Sequence, residues 1–145
     1  MALKLVDEGA QDIAKIVYGA TAKPTTFTLR LFTDANALAD SDTYAAGHTI
    51  AAGGGYADIT LYPEGGSAPA ATVSSVGGIL QVAWPQQTFT FTGALTGNAT
   101  IKGYQIVKGT TILHTEELTT NFQPTTNGDT YKVTPIIQIG NGTVA

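Results

Sequence analysis

The side chains in this sequence with the widest chemical range are His48 and His114, the oxygen-bearing group Asp34, Asn36, Asp40 and Asp42 in one loop, and the adjacent pair Glu116-Glu117. Cysteine is absent, which excludes a thiolate nucleophile, a disulfide framework and the thiolate zinc sites. Neither histidine belongs to a metal-spaced pair, so zinc would need both of them plus carboxylates from far along the chain. The Asp34 to Asp42 group offers the oxygens calcium takes. Its order does not match an EF-hand loop, and the glycine of the sharp turn is missing. It reads as a solvated acidic loop. Glycosidase chemistry needs two carboxylates facing one substrate, whereas Glu116 and Glu117, neighbours on a strand, point to opposite faces and read as surface charges. Neither the Gly-x-Ser-x-Gly elbow nor the phosphate-cradling Gly-x-x-x-x-Gly-Lys occurs. The residues thus assign no catalytic, cofactor-binding or metal-binding site, and the expectation is a non-enzymatic protein without a cofactor. Trp84, Tyr44, Tyr56, Tyr62 and Tyr104 are of the kind that stacks on sugars, but such residues equally fill cores and subunit interfaces, the use favoured here. Asn98-Ala99-Thr100 and Asn141-Gly142-Thr143 fit the glycosylation sequon and read as turn chemistry.

The elements that would position these groups are mostly strands. Residues 87–92 alternate strictly, which sets Phe89 and Phe91 on one face and three threonines on the other. Residues 93–98 (Gly-Ala-Leu-Thr-Gly-Asn) form a turn, and a strand follows over 99–107. Lys108-Gly109-Thr110 has the length and chemistry of a hairpin loop leading into Thr111-Ile112-Leu113. Asn127-Gly128-Asp129 opens a last strand over 130–139, with Tyr131, Val133, Ile137 and Ile139 on one face. Earlier in the chain, residues 26–32 place Phe27, Leu29 and Leu31 toward a core, and residues 56–61 place Ala57, Ile59 and Leu61 on one side. Residues 33–46 form a long loop, and Gly53-Gly54-Gly55 offers a hinge, a close backbone approach or, as favoured, a plain loop. Residues 63–71 have the composition of an exposed loop. A Gly77-Gly78 turn leads into residues 79–84, with Leu80, Val82 and Trp84 sharing a face.

The convincing helical segment is residues 6–18, where Ala10, Ile13, Ala14 and Val17 recur at helical spacing and Gly19 supplies a stop. The organisation expected is an N-terminal helical arm and connector over 1–24, then a β-domain over 25–145. About eight short strands with turns between them favour an antiparallel two-sheet β-sandwich or jelly roll over a parallel α/β sheet.

Bulk properties narrow the partners. Charged residues make up 12% of the 145 residues, the net charge is -4 and the isoelectric point is near 4.8. The basic residues Lys4, Lys15, Lys23, Arg30, Lys102, Lys108 and Lys132 are scattered, which argues against a nucleic-acid footprint. No apolar run reaches the roughly 18 residues of a membrane-spanning helix. Leu3, Leu5 and Val6 run at once into Asp7 and Glu8, unlike a signal peptide, so synthesis in a cytosol is expected.

Two patches stand out in order along the chain. The first is Thr28-Leu29-Arg30-Leu31-Phe32-Thr33, a loop rich in Asp and Ala, then Gly54-Gly55-Tyr56-Ala57 and a strand ending in Leu61. The second is Pro85-Gln86-Gln87-Thr88-Phe89-Thr90-Phe91-Thr92-Gly93, then Ile101-Lys102-Gly103-Tyr104-Gln105-Ile106-Val107, then Asn127-Gly128-Asp129-Thr130 and Val133-Thr134-Pro135. In this order they resemble a family of small virion structural proteins of tailed bacteriophages. The chain departs from that pattern at Gln105, where an aromatic usually follows the Gly-Tyr pair, and at Ile112-Leu113-His114, which lacks a tryptophan. The resemblance implies a non-enzymatic component of the phage particle made in the host cytoplasm. Among such roles, a capsid decoration or cement protein on the virion surface is favoured, a homo-oligomer, as a trimer, bound to the major capsid protein. The competing reading is a tail-fibre or baseplate module that binds host glycan, which would expose its aromatic residues in one shallow patch.

Overall fold

A computed structural model describes Leu3–Lys4 and residues 22–39, 41–76 and 79–139. The fold is mainly β, and every strand pair described is antiparallel. In chain order the strands are β1 (Leu3–Lys4), β2 (Phe27–Phe32), β3 (Ile59–Leu61), β4 (Thr72–Val76), β5 (Ile79–Ala83), β6 (Gln87–Thr90), β7 (Ile101–Lys108), β8 (Thr111–Phe122), β9 (Thr130–Val133) and β10 (Ile136–Ile139). They form a five-stranded sheet in the order β1-β8-β7-β2-β3, a three-stranded sheet β10-β5-β4, and the pair β6-β9. One 3₁₀ turn, Thr96–Asn98, is the helical element among the described residues. The helix expected over residues 6–18 lies outside them, and within the expected arm the first described element is the short strand β1.

β2 and β7 occupy the middle of the large sheet, and their residues are buried on both faces. Leu29 and Leu31 enter the core as their alternation predicts. On the opposite face Arg30 and Phe32 are also buried, which the alternation of residues 26–32 does not reveal. Leu29, Leu31, Trp84, Phe89, Phe91, Ile101, Ile106, Val133 and Ile137 belong to one apolar cluster that draws on all three sheets. Burying each such large side chain contributes about 1.5–3 kcal/mol, so a cysteine-free chain of this size needs no covalent staple.

β2 is bordered by β3 for only part of its length, and the remaining edge is closed by other means. Pairing with β3 runs from Phe27↔Leu61 to Leu29↔Ile59. The next outward amide, Leu31 N, donates to the Tyr56 hydroxyl at 2.8 Å, and the Leu31 carbonyl accepts the Ala51 amide at 2.9 Å. A bridge between Phe32 and Ile50 completes the edge.

Three sequence expectations change. The triple glycine is a docking point for backbone rather than a plain loop: Gly53, Gly54 and Gly55 take φ of 78, 56 and 72°. The Thr92 amide donates to the Gly54 carbonyl at 2.8 Å, and a Cβ on Gly54 would lie 2.5 Å from the Gly93 oxygen. Only glycine meets both conditions. The strand expected over 130–139 is divided at Thr134-Pro135, β9 pairing with β6 and β10 with β5. Proline supplies no amide to a ladder, and the chain changes sheet there while Val133 and Ile137 both stay in the core. Finally, the face shared by Leu80, Val82 and Trp84 is buried only at its Trp84 end. Trp84 is 2% exposed, whereas Leu80 and Val73 on the β4–β5 hairpin are each 43% exposed.

Candidate functional site

The Gly109-Thr110 loop joins β7 to β8, with Gly109 at φ 57° and Lys108 opposite Thr111. A tight loop with glycine first suits a two-residue hairpin. Counting strictly back from it would set Tyr104 opposite Thr115. A bulge between Ile106 and Val107 admits one extra β8 residue, so Tyr104 instead lies opposite Glu116. Opposed residues share a face, and the bulge therefore brings Tyr104, Ile106, His114 and Glu116 to the core side of the sheet. A second irregularity leaves β8 residues 118–121 out of register with β7, because the ladder passes from Gly103↔Glu117 to Ile101↔Phe122. Between this stretch and β9–β10 lies a groove of about 620 Å³ with Tyr104 and Glu116 in its lining.

Glu116 is 6% exposed, correcting its reading as a surface charge. The Tyr104 hydroxyl donates to Glu116 Oε2 and is itself reached by the Ile136 backbone amide, so one phenol ties β7 to β8 and β10. Burial, with the Glu116 carboxylate behind it, holds the Tyr104 phenol far above its ordinary range. Burial and the Glu116 charge also push Tyr131 up. Tyr131 stacks on Phe122 with ring centroids 5.3 Å apart, forming an aromatic wall of the groove. His114 Nε2 stands 4.0 Å from Glu116 Oε2, and the buried imidazole nitrogens have no hydrogen-bond partner among the described residues.

His48 sits across the sheet. Its ring stacks on Phe32 at 4.1 Å, and Phe32 lies opposite Gly103, on the face turned away from Tyr104 and His114. The two histidines therefore flank opposite faces and do not meet. His48 Nδ1 is 2.8 Å from Asp34 Oδ1, and Nε2 is 3.4 Å from Asp42 Oδ2. Asp34 also accepts the Thr49 and Asn36 amides, while Asp42 accepts the Ala39 amide at 2.9 Å. Burial alone would raise the Asp34 carboxyl, but the Thr49 amide, the His48 ring and the Asn36 amide together hold it below its usual value. The loop expected to be solvated and acidic is thus clasped from inside at Asp34 and Asp42, whose carboxylates are occupied by the protein itself. Among the described residues no three histidine, aspartate or glutamate side chains are grouped to hold a metal; Asp40 lies outside those residues.

Comparison with protein-family models, curated proteins and solved structures returns no match.

The aromatic residues are dispersed. Trp84 and Tyr104 are buried, with Trp84 Nε1 donating to the Tyr62 carbonyl at 2.7 Å. The Tyr56 hydroxyl donates to Asp58 at 2.6 Å while holding the β2 edge. Tyr44, 42% exposed, covers the Arg30 guanidinium at 4.2 Å. Arg30 Nε donates to Gln105 Oε1 at 2.8 Å, so the amide at that position pairs a buried cation. Burial depresses the Arg30 guanidinium from its usual range, an effect partly offset by Tyr44, Asp58 and Tyr56. The groove has one carboxylate in its lining and a phenol held protonated. That set can accept a hydrogen bond or a positive charge; it lacks the second carboxylate of paired acid–base hydrolysis. Tyr104 and Glu116 acquire their shared position from the bulge, a feature without a marker in the residues themselves.

Proposed function

We propose that this chain is a non-enzymatic structural protein of a tailed-phage particle, a decoration or cement protein that binds the assembled head shell as an oligomer. The three sheets about one core are read as a β-sandwich of the jelly-roll kind, and the partner as the major capsid protein. The observation that carries the reading is the β4–β5 hairpin. Val73, Ile79 and Leu80 are exposed there, and β4, β5 and β10 contain no charged residue. An uncharged strand pair with three exposed apolar side chains suits protein–protein docking. The resemblance of its ordered short motifs to those of phage virion proteins supports the same role. A cement protein binds the assembled lattice more tightly than free subunits, so the shell's apparent stability rises with occupancy. Trimers suit local threefold points, where weak contacts are multiplied by avidity.

The test is solution mass by light scattering, then co-sedimentation of the purified protein with capsids lacking it. A trimer that saturates the capsids, and whose occupancy falls on deletion of residues 1–19 or in Leu80→Lys, is expected. A monomer that leaves capsids bare would overturn the reading.

A further inference from the structure

The groove between β8 and β9–β10 has a chemistry that shell binding through the hairpin does not use. Its walls include Leu118, Phe122, Tyr131, Val133 and Ile136, and the carboxylate in its lining is Glu116. One Glu116 oxygen takes the Tyr104 hydroxyl, and the nearby imidazole of His114 stands 4.0 Å away. A carboxylate withdrawn from water attracts a cation far more strongly than one in bulk solvent. Tyr131, stacked on Phe122, lines the same groove and adds an aromatic wall beside the carboxylate. Lys132 also lines the groove, but its side chain leaves β9 on the opposite face from Tyr131 and is exposed, so solvent screens it.

We propose that the groove takes a lysine or arginine side chain carried on an extended segment of a partner protein, with Glu116 receiving the charged end. The extended form follows from β8 itself. Residues 118–121 have no ladder partner on β7 among the described residues, and residues 119–121 are exposed, so an incoming strand can pair with this stretch while its alternate side chains enter the groove. The charge at the floor then selects a basic residue, and the apolar walls hold its stem.

The experiment is a ¹⁵N–¹H titration of the full chain with the acetylated, amidated tetrapeptide Val-Lys-Val-Thr and with its norleucine counterpart. The lysine peptide is expected to shift the amides of residues 119–122 and 131–134 saturably, and the norleucine peptide to bind at least about thirtyfold more weakly. Glu116→Gln keeps an oxygen for the Tyr104 hydroxyl and should reduce the lysine peptide to the norleucine level. Thr120→Trp, at the exposed rim, should block both peptides while the rest of the spectrum is unchanged. Equal response to the two peptides, no shift at millimolar concentration, or undiminished binding by Glu116→Gln overturns the proposal. So does a response of the same amides to maltotriose in place of the peptide. Capsids take no part in this assay, so its outcome is independent of the shell reading.

Discussion

Gly103→Ala is the substitution whose cost the structure sets most directly. Gly103 lies opposite Phe32 in the β2–β7 ladder, and a Cβ there would fall 2.0 Å from Phe32 Cζ and 2.3 Å from both Phe32 Cε1 and the Glu116 backbone oxygen. Carbon atoms in contact normally stand about 3.5–4.0 Å apart. The Phe32 ring would have to withdraw by about 1.5 Å, which disturbs its contact with the His48 imidazole stacked on it at 4.1 Å. Overpacking typically costs about 1–3 kcal/mol, and the backbone oxygen places this site toward the upper end. Loss of glycine's freedom in the unfolded chain offsets about 0.4–1 kcal/mol, leaving a net loss of about 2 kcal/mol. For 145 residues, an unfolding entropy of about 2.1 cal/mol/K per residue translates this into a fall of about 7 °C in melting temperature. Thermal unfolding followed by circular dichroism measures it. Phe32→Leu removes the atoms that clash, so adding Gly103→Ala to it should cost much less than in the parent. A variant melting within about 2 °C of the parent, or strictly additive losses in the double variant, would refute the close ring–glycine contact.

Gly54→Ala and Gly109→Ala share a left-handed backbone, φ 56 and 57°, but only Gly54 faces another chain segment within 4 Å. The left-handed conformation costs a side chain about 1–2 kcal/mol, so in urea titrations Gly109→Ala should lose about that much and Gly54→Ala clearly more. Tyr56→Phe removes the acceptor of the buried Leu31 amide and the donor to Asp58. It should destabilise by about 1–3 kcal/mol and speed hydrogen exchange at Leu31; unchanged protection there would contradict the role given to the hydroxyl. The Asp34 carboxyl is depressed in the folded state, so its contribution is present above the unfolded carboxylate range and lost as pH falls through the folded value. Urea midpoints of the parent should therefore fall steeply on acidification below about pH 4, and Asp34→Asn should flatten that slope.

Sequence periodicity reaches the strands and their inward faces well, because alternation is a local property. Phe89 with Phe91, and Val133 with Ile137, are buried as their spacing predicts. It fails where a decision depends on a partner elsewhere in the chain. Nothing in Gly53-Gly54-Gly55 announces the carbonyl of Gly93, and nothing in residues 130–139 except Pro135 marks the change of sheet. The same limit applies to the groove. Glu116 is buried because one extra residue is accommodated near Leu113, and a single-residue shift exchanges every face beyond it. His48 carries no sequence sign of its clasp, since Asp34 and Asp42 lie fourteen and six positions away in a loop without regular spacing.

The polar residues inside the large sheet bear on how that register is chosen. In the unbulged alternative Tyr104 would oppose Thr115, and Glu116 would join Gly103 and Arg30 on the other face. The observed register separates them, with the Tyr104–Glu116 bond on one side and the Arg30–Gln105 bond on the other. Buried charged and polar groups add little net stability compared with apolar packing, but mispairing them leaves uncompensated groups at a cost of several kcal/mol. The Tyr104–Glu116 bond therefore penalises a slip between β7 and β8, and the Arg30–Gln105 bond a slip between β2 and β7. That gives a physical reason for polar residues to occupy positions that apolar ones would fill. It also links fold to site: the β7–β8 register that pairs Tyr104 with Glu116 is the one that sets a single carboxylate beneath the groove.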